Sequence, residues 1–265
     1  MNTALYLNGA TLMTTPTQRV VEIARETGYA GIEGRAERLL HDVAEVRATA
    51  EIVRPGEVLT LNGVALTVRQ DGRMDRRLIE EDLRTRLQIC KDLGSRYLLA
   101  IPPRAPGLET RRAVPATRDA LELARDRADK LGIRIAFEFL GFGDCPINTP
   151  AIAAETVDGI EAVELVLDSC HWHASGSQPL NAYPVDRLAL VHLNDAPDKP
   201  PREIEDEDRV LPGEGVIKLT TLLGDLKARN YTGPWSLETF NPTYWKDDPE
   251  ALARRGRVAI DTLFA

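Results

Sequence analysis

Short apolar runs alternate with segments of helical periodicity along this sequence, and that alternation limits the folds open to the chain. A short apolar run bounded by turn residues is typical of a buried strand in a parallel sheet. The predicted strands are residues 4–7, 30–33, 58–62, 97–101, 133–139, 165–168, 188–193 and 235–239. Eight strands alternating with helices are what a closed parallel barrel requires. We therefore predict an α/β fold, a (β/α)8 barrel that occupies residues 1–265 as a single domain.

A doubly wound open sheet uses the same alternation and is the main alternative fold. Such a sheet usually places a glycine-rich GxGxxG loop directly after its first strand. The first predicted strand is followed here by Asn8-Gly9-Ala10-Thr11, which does not match, so the barrel is favoured. The one long irregular connection is residues 195–215, an acidic, proline-containing loop after the seventh strand, and loops of that length are usually functional.

Helix boundaries are marked by capping residues. Thr149-Pro150 predicts a helix start, because a threonine hydroxyl can cap the helix and proline suits its first position. Asp248-Pro249 predicts the start of the final helix in the same way. Gly28 and Gly94 predict the ends of two earlier helices, since glycine readily adopts the conformation that terminates a helix.

Charge and cysteine content restrict the partners that the chain is expected to have. The formal net charge is −8, which repels nucleic acid and anionic membranes, so we expect neither as a partner. The three cysteines form no CxxC pair, which is typical of a reducing compartment. The start of the sequence lacks the pattern of a signal peptide, and no apolar run has the length of a membrane span. We expect a cytoplasmic monomer or homodimer.

Acidic and imidazole side chains stand at the ends of four consecutive predicted strands. Strand five ends at Glu138, strand six at Asp168 with His171 close behind it, strand seven at His192, and strand eight at Glu238. The carboxyl ends of barrel strands share one face, so we expect these side chains to converge. Two like charges about 4 Å apart repel by roughly 4 kcal/mol at an effective dielectric constant of about 20. Converging carboxylates therefore favour a bound cation.

Each of these residues also has a purely structural interpretation. Glu138 can be a salt-bridged barrel carboxylate, His192 a hydrogen-bonded core histidine, and Glu238 the cap of a strand. However, a carboxylate flanked by two phenylalanines loses hydration unless a cation or a donor meets it. A ligand set of three carboxylates and one imidazole is typical of an open site for Mn²⁺, Mg²⁺ or Co²⁺, and less typical of a closed structural zinc site. We predict one divalent metal ion, Mn²⁺ first, with Zn²⁺, Co²⁺ or Mg²⁺ as alternatives.

Five segments, in order along the chain, carry a family resemblance: AFEFLG at 136–141, LVLDSCHWH at 165–173, VHLND at 191–195, DRVLPGEG at 208–215 and SLE at 236–238. With them the chain resembles the xylose-isomerase-like TIM-barrel superfamily of sugar isomerases and epimerases. Three further segments are most similar to its inosose isomerase (2-keto-myo-inositol isomerase) branch: CPINT at 145–149, HWHASG at 171–176 and DEDRV at 206–210.

The resemblance implies roles for individual residues. It places the ligands of a single metal ion at Glu138, Asp168, His192 and Glu238, and it places substrate contacts at His171 and Arg209. For Arg209, the structural alternative is a surface ion pair within residues 205–208. The implied reaction passes through a cis-enediol, with the metal acting as a Lewis acid. We expect Glu138 and Glu238 to remove and return the proton, a contribution of typically about 10²- to 10⁴-fold per step.

Further substrate contacts are expected from position and side-chain type. Asn8, Glu33 and Asn62 end the first three predicted strands, so they are candidate contacts to substrate hydroxyls. Trp172 is a candidate apolar wall against the C–H face of a cyclic polyol, although it can equally be lid or subunit packing. Of these, Asn8, Asn62 and Trp172 complete the predicted substrate-binding set with His171 and Arg209.

The expected activity is interconversion of 2-keto-myo-inositol with a keto-chiro-inositol, a small-molecule polyol substrate. A ketose 3-epimerase or a hydroxypyruvate-type isomerase would use the same enediol chemistry on an open-chain sugar, and a keto-inositol dehydratase would lose water instead. The endonuclease of this superfamily requires more histidine ligands than four histidines readily supply, and a basic face. A catalytically inactive binding protein on the same barrel is the remaining alternative.

Overall fold

The predicted barrel is confirmed in the computed structural model, which describes residues 4–69 and 71–265. Residues 1–3 and 70, which the single-domain prediction also covers, lie outside the described residues. Eight strands pair in parallel and in chain order, and the last closes against the first. They are β1 Leu5–Asn8, β2 Gly31–Arg35, β3 Val58–Ala65, β4 Tyr97–Ile101, β5 Arg134–Glu138, β6 Val163–Asp168, β7 Leu188–Leu193 and β8 Trp235–Leu237.

Helices surround the barrel and connect its strands. They are α1 Thr17–Glu26, α2 Ala36–Leu39, α3 Val43–Ile52, α4 Arg76–Leu93, α5 Thr110–Asp129, α6 Pro150–Val157, α7 Ser169–Ala174, α8 Leu219–Ala228 and α9 Pro249–Phe264. The capping predictions hold: Thr149 Oγ1 accepts a hydrogen bond from Ile152 N at 3.3 Å, and Gly94 ends α4 in the left-handed conformation with φ +64°. Within the part of the chain that the structure describes, no helix is both long and apolar enough to cross a membrane.

Three helices, α2, α3 and α7, were not predicted. Helix α3 lacks a clear apolar stripe, because two of its three buried residues, Glu45 and Thr49, are polar. Helices α2 and α7 have four and six residues, too few to display a helical period. Strand β3 runs three residues beyond its predicted end, because Asn62-Gly63 has the composition of a turn but continues the strand.

Side chains alternate between the barrel interior and the helix layer, as strand geometry requires. Inside the barrel, Ala136 of β5, Val166 of β6 and Leu190 of β7 belong to one small apolar cluster. The residues beside them, such as Phe137 and Leu165, pack in the larger core against the helices. A side chain two positions beyond an interior residue also faces the interior. This alternation directs Glu138, Asp168 and His192 inward, one layer above the apolar cluster.

Candidate active site

Four buried side chains converge at the carboxyl ends of the last four strands. Glu138, Asp168, His192 and Glu238 each offer one ligand atom, and these atoms all lie within 4.8 Å of one another. The first three residues belong to β5, β6 and β7, and Glu238 directly follows β8. None of the four is more than 4% exposed. We call these four residues the donor cluster.

The two ring nitrogens of His192 have different surroundings. Nδ1 lies 2.9 Å from Glu138 Oε1 and 3.3 Å from Glu238 Oε2, so it is the nitrogen on the side of the donor cluster. Nε2 points away from the cluster, and it lies 3.1 and 3.2 Å from the two carboxylate oxygens of Glu33. The ring is therefore held between carboxylates on both sides.

Asp168 uses its two oxygens for different purposes. Oδ1 accepts a hydrogen bond from His171 N at 2.8 Å and so caps α7. Oδ2 accepts from Asn194 Nδ2 at 2.7 Å and from Arg209 Nη1 at 3.0 Å, on the side that faces His192. A capping role and a ligand role are thus compatible in this one carboxylate.

The two glutamates of the donor cluster differ in how firmly hydrogen bonds hold them. Glu238 Oε1 accepts from Asn8 Nδ2 at 2.8 Å, and its Oε2 accepts from Arg209 Nη1 at 2.7 Å. Among the described contacts of the Glu138 carboxylate, the hydrogen-bond partner is His192 alone. Glu138 is therefore the less constrained of the two.

Burial and neighbouring charge set the pKa values of the three carboxylates apart. Burial raises the pKa of Glu138 to about 7, and the nearby charges of Glu238 and Asp168 act in the same direction against the attraction of His192. Burial likewise raises the pKa of Glu238. For Asp168, burial is outweighed by the charges of Arg209 and His192 and by the hydrogen bond from His171 N, which lower its pKa. Asp168 is therefore held as an anion, whereas Glu138 is balanced between its two protonation states near neutral pH.

The carboxylates of the site in turn raise the pKa values of its two cationic side chains. Burial alone would lower the pKa of His192, but Glu238, Glu33 and Glu138 outweigh it and raise that pKa well above its ordinary value. The buried guanidinium of Arg209 behaves alike, because Asp168, Asp206 and Glu238 raise its pKa against the effect of burial. Both groups carry positive charge that the carboxylates require in the protein without a metal.

A cavity of about 470 Å³ opens beside the donor cluster. Glu138 and Glu238 line it, together with Asn62, His171 and Arg209. Among the described residues, neither Asp168 nor His192 belongs to its lining. Apolar side chains complete the wall, among them Leu99, Ile101, Leu140, Phe142 and Phe240. The cavity thus meets two of the four donors and presents both hydrogen-bonding and apolar surface to a bound molecule.

The structure places the predicted substrate contacts in two groups. Asn62, His171 and Arg209 line the cavity. In the described lining, Asn8 and Trp172 are absent: Asn8 is fully buried against Glu238, and the Trp172 indole donates to Gln178 O at 2.8 Å. These two residues support the site from behind, so they are not carried forward as substrate contacts.

His171 is neutral in this environment. Burial lowers its pKa to about 4, and Arg209 Nη2 lies 3.1 Å from its Nε2. Because a guanidinium only donates hydrogen bonds, Nε2 accepts and the ring hydrogen resides on Nδ1. Nδ1 is buried and has no hydrogen-bond partner among the described residues, which leaves a donor available to a ligand.

The sequence allows two roles for Arg209, an ion pair within its own loop and a place in the site, and the structure shows contacts of both kinds. Its Nη2 lies 2.7 Å from Asp206 in the preceding turn, and its Nη1 reaches Asp168 and Glu238 in the barrel. The long loop that carries it is closed at its base by Asp195, which accepts from Gly213 N at 3.0 Å and Ile217 N at 2.8 Å. The loop after β7 therefore delivers a buried cation to the donor cluster.

Several residues of the site were missed or misplaced from the sequence. Arg35 lines the cavity and lies over the Phe240 ring, with its Cζ 4.8 Å from the ring centroid. The alternation along β2 would have found it, since Arg35 follows the inward-facing Glu33 by two positions. Glu33 itself was expected to contact substrate hydroxyls, but it is fully buried against His192. Asn194, two residues past His192, donates to Asp168 and was not singled out.

The donor cluster fits a divalent cation. Three carboxylates and one imidazole converge with little exposure, and a cation removes the repulsion among the acids. Oxygen-rich sets with one nitrogen are suited to Mn²⁺, Mg²⁺ or Co²⁺, and Zn²⁺ also accepts carboxylate and imidazole ligands.

Known proteins resemble this chain along most of its length. The xylose isomerase-like TIM barrel family profile matches residues 21–261. An inosose isomerase of Bacillus velezensis is 31% identical over 277 residues, which cover 97% of this chain and 95% of that protein. An inosose isomerase of Bacillus subtilis is 32% identical over 211 residues, covering 77% and 76% of the two chains. A crystal structure of the IOLI protein with a bound zinc atom superposes with a TM-score of 0.86 at 27% identity, covering 98% of this chain and 97% of that one.

Proposed function

Because this chain belongs to the xylose isomerase-like TIM barrel family, we propose that it is a divalent-metal-dependent isomerase of keto-inositols. The reaction interconverts 2-keto-myo-inositol and a keto-chiro-inositol by proton transfer through a cis-enediol. The observation that carries the proposal is the buried donor cluster, two of whose carboxylates line a cavity large enough for a compact polyol. The similarity to inosose isomerases supports the substrate class.

Glu138, Asp168, His192 and Glu238 would hold the metal, at the carboxyl ends of β5 to β8 in the single barrel domain. A bound divalent cation supplies Lewis-acid polarisation of a carbonyl and its neighbouring hydroxyl, which acidifies the intervening C–H bond. Asp168 and His192 lie behind the cavity lining, so their role is to hold the ion. Mn²⁺ is the first choice for this donor set, with Zn²⁺, Co²⁺ and Mg²⁺ as alternatives.

Glu138 and Glu238 are the groups that move the proton. Both line the cavity and come from barrel strands that are not adjacent, so they approach a bound substrate from different directions. In the protein without a metal, burial raises the pKa of Glu138 to about 7, and its single described hydrogen-bond contact, to His192, leaves the carboxylate free to take a proton from the substrate and return it. Glu238, whose pKa is also raised by burial, acts as the partner acid or base on the other carbon.

The remaining polar side chains of the cavity orient the substrate and stabilise charge. Arg209 brings a permanently charged guanidinium to within 3.0 Å of Glu238 and Asp168, so it can stabilise an enediolate oxygen bound beside them. His171 offers its unpartnered Nδ1–H to substrate hydroxyls, and Asn62, whose Nδ2 donates to Glu238 at 3.4 Å, offers its second amide hydrogen. The apolar wall that contains Phe142 and Phe240 suits the C–H face of a ring.

The proposal is tested by removing metal with a chelator and reloading the protein separately with Mn²⁺, Co²⁺, Zn²⁺ or Mg²⁺. Each form is incubated with 2-keto-myo-inositol and with a panel of ketoses, and the products are identified by NMR. We expect turnover of the keto-inositol that depends on metal and releases no water. Faster turnover of an open-chain ketose would make the chain a ketose 3-epimerase or a hydroxypyruvate-type isomerase instead, and loss of water would make it a dehydratase.

A further inference from the structure

Glu33 is a fully buried carboxylate outside the donor cluster, and it contacts one member of the cluster, His192, directly. It is the third of the five residues of β2, on the opposite side of the barrel from β6. Both of its oxygens face His192 Nε2, at 3.1 and 3.2 Å. Burying a carboxylate costs free energy unless a partner compensates its charge. The partner here is the imidazole of a candidate metal ligand.

The position of Glu33 is fixed by groups on the neighbouring strands. Asn8 Nδ2 donates to Glu33 Oε1 at 3.0 Å, and Thr60 Oγ1 donates to Glu33 Oε2 at 2.5 Å. The amide of Asn8 is itself oriented, because its Oδ1 accepts from Ala10 N at 2.9 Å, which turns Nδ2 toward the acids. Asn8 Nδ2 also donates to Glu238, so one amide joins Glu33 to the donor cluster.

We propose that Glu33 is a positioning residue that keeps a hydrogen on His192 Nε2, directed away from the donor cluster, so that Nδ1 is the nitrogen that gives up its proton and binds the metal. This inference rests on the proposed function, since it assigns a role in the same metal site. Without an acceptor at Nε2, the neutral ring would place its hydrogen on Nδ1 and donate it to Glu138, which lies 2.9 Å away. That tautomer has no free nitrogen in the cluster. Partners of this kind usually change metal affinity by about 10- to 100-fold.

The test compares metal affinity in wild type, Glu33→Leu, which leaves no acceptor at Nε2, and a matched control, Glu45→Leu. Glu45 is also buried and accepts several hydrogen bonds, from Thr17 and Arg38, but it lies among α1, α2 and α3 and does not contact the donor cluster. Chelator-treated protein is titrated with Mn²⁺ and with Zn²⁺ by calorimetry. We expect Glu33→Leu to weaken binding by about 10- to 100-fold and Glu45→Leu to leave it within about twofold of wild type.

A second measurement does not depend on whether the Glu33 variant folds. The chain has four histidines, so a ¹⁵N-histidine spectrum of the Zn²⁺-saturated wild-type protein is simple enough to assign, with a His192→Asn variant identifying one signal set. We expect His192 to carry its hydrogen on Nε2 and to bind the ion through Nδ1. The opposite arrangement, or equal metal affinity in wild type and a folded Glu33→Leu variant, overturns the inference while the proposed function stands. Failure of wild type to bind any of the metals overturns the proposed function itself.

Discussion

Arg209 and Asp168, 41 residues apart in the chain, form a buried ion pair in which Nη1 donates to Oδ2 at 3.0 Å. The same nitrogen donates to Glu238 at 2.7 Å, so one guanidinium contacts two members of the donor cluster. The loop after β7 therefore completes the charge balance of a site built at the ends of the strands. Arg209 also lines the cavity, which places a single cation between the metal site and the substrate.

We expect Arg209→Ala to lower kcat/KM by about 10²- to 10³-fold, because it removes a donor at the place where negative charge develops. The free energy of unfolding of metal-free protein is expected to fall by about 3–5 kcal/mol, since buried carboxylates lose their partner. Steady-state kinetics and urea unfolding measure the two effects. Arg255→Ala is the control, because its pairs with Asp247 and Glu214 are exposed and should contribute no more than about 1 kcal/mol. Wild-type kinetics in Arg209→Ala would remove this arginine from the site.

Glu138→Gln and Glu238→Gln are each expected to reduce turnover by at least about 10²-fold, since the amide cannot accept or return a proton. Near-ultraviolet circular dichroism should show that the fold persists. Glu164→Gln is the matched control: it lies on β6, four residues before Asp168, and pairs with Arg134 at 2.8 Å away from the cluster. A binding protein without catalytic function is indicated if all three variants and wild type fail to turn over any polyol.

The sequence predicted the barrel because apolar runs of strand length alternate clearly with segments of helical periodicity. It predicted the donor cluster because each member ends a strand. Glu138, Asp168 and His192 all face inward by alternation from one apolar layer, which is a local rule that needs no knowledge of distant contacts. The strand ends were predicted less well. Strand β2 continues to Arg35, past the polar residue at which it was expected to stop, and so an arginine of the cavity was overlooked.

Contacts across the barrel could not be predicted from sequence. Glu33 and His192 are 159 residues apart, and their pairing depends on the closure and register of the barrel. Trp172 lies in α7, the helix that directly follows Asp168. The six residues of α7 are too few to show a helical period in the sequence, and the helix directs the indole toward Gln178 O instead of the cavity. Long-range geometry of this kind decides which strand-end residues contact a ligand and which support their neighbours.

Glu45 is expected to make the stability of the barrel depend on acid pH. Burial opposes ionisation of this carboxylate, but hydrogen bonds from Arg38 and Thr17 outweigh it and lower its pKa below 4.5. Its contribution is therefore complete above pH 4.5 and is lost as the pH falls through the lowered pKa. At pH 7, Glu45→Gln should cost about 1–3 kcal/mol of unfolding free energy, and the difference from wild type should shrink below pH 4.5. A difference that is constant from pH 7 to pH 3 would contradict this assignment.

Arg104 joins three loops at the mouth of the cavity. Its Nε donates to Asp144 at 2.9 Å, its Nη1 donates to Glu205 at 2.9 Å, and its Cζ lies 4.5 Å from the centroid of Phe142. Because these pairs are partly exposed, Arg104→Ala should change the unfolding free energy by about 1 kcal/mol or less. We expect KM for the keto-inositol to rise severalfold with little change in kcat, as measured by steady-state kinetics. An equal fall in kcat and kcat/KM would show that Arg104 acts in the chemical step.

Exchange of substrate hydrogen with solvent is the most direct evidence for an enediol mechanism. Metal-loaded protein is incubated with 2-keto-myo-inositol in D₂O, and the carbon next to the ketone is followed by NMR and mass spectrometry. An enediol mechanism predicts deuterium at that carbon in wild type, none after chelation, and none with Glu138→Gln. Turnover of the keto-inositol by metal-loaded protein with no deuterium at that carbon in product or recovered substrate would contradict proton transfer through solvent-exchangeable carboxylates.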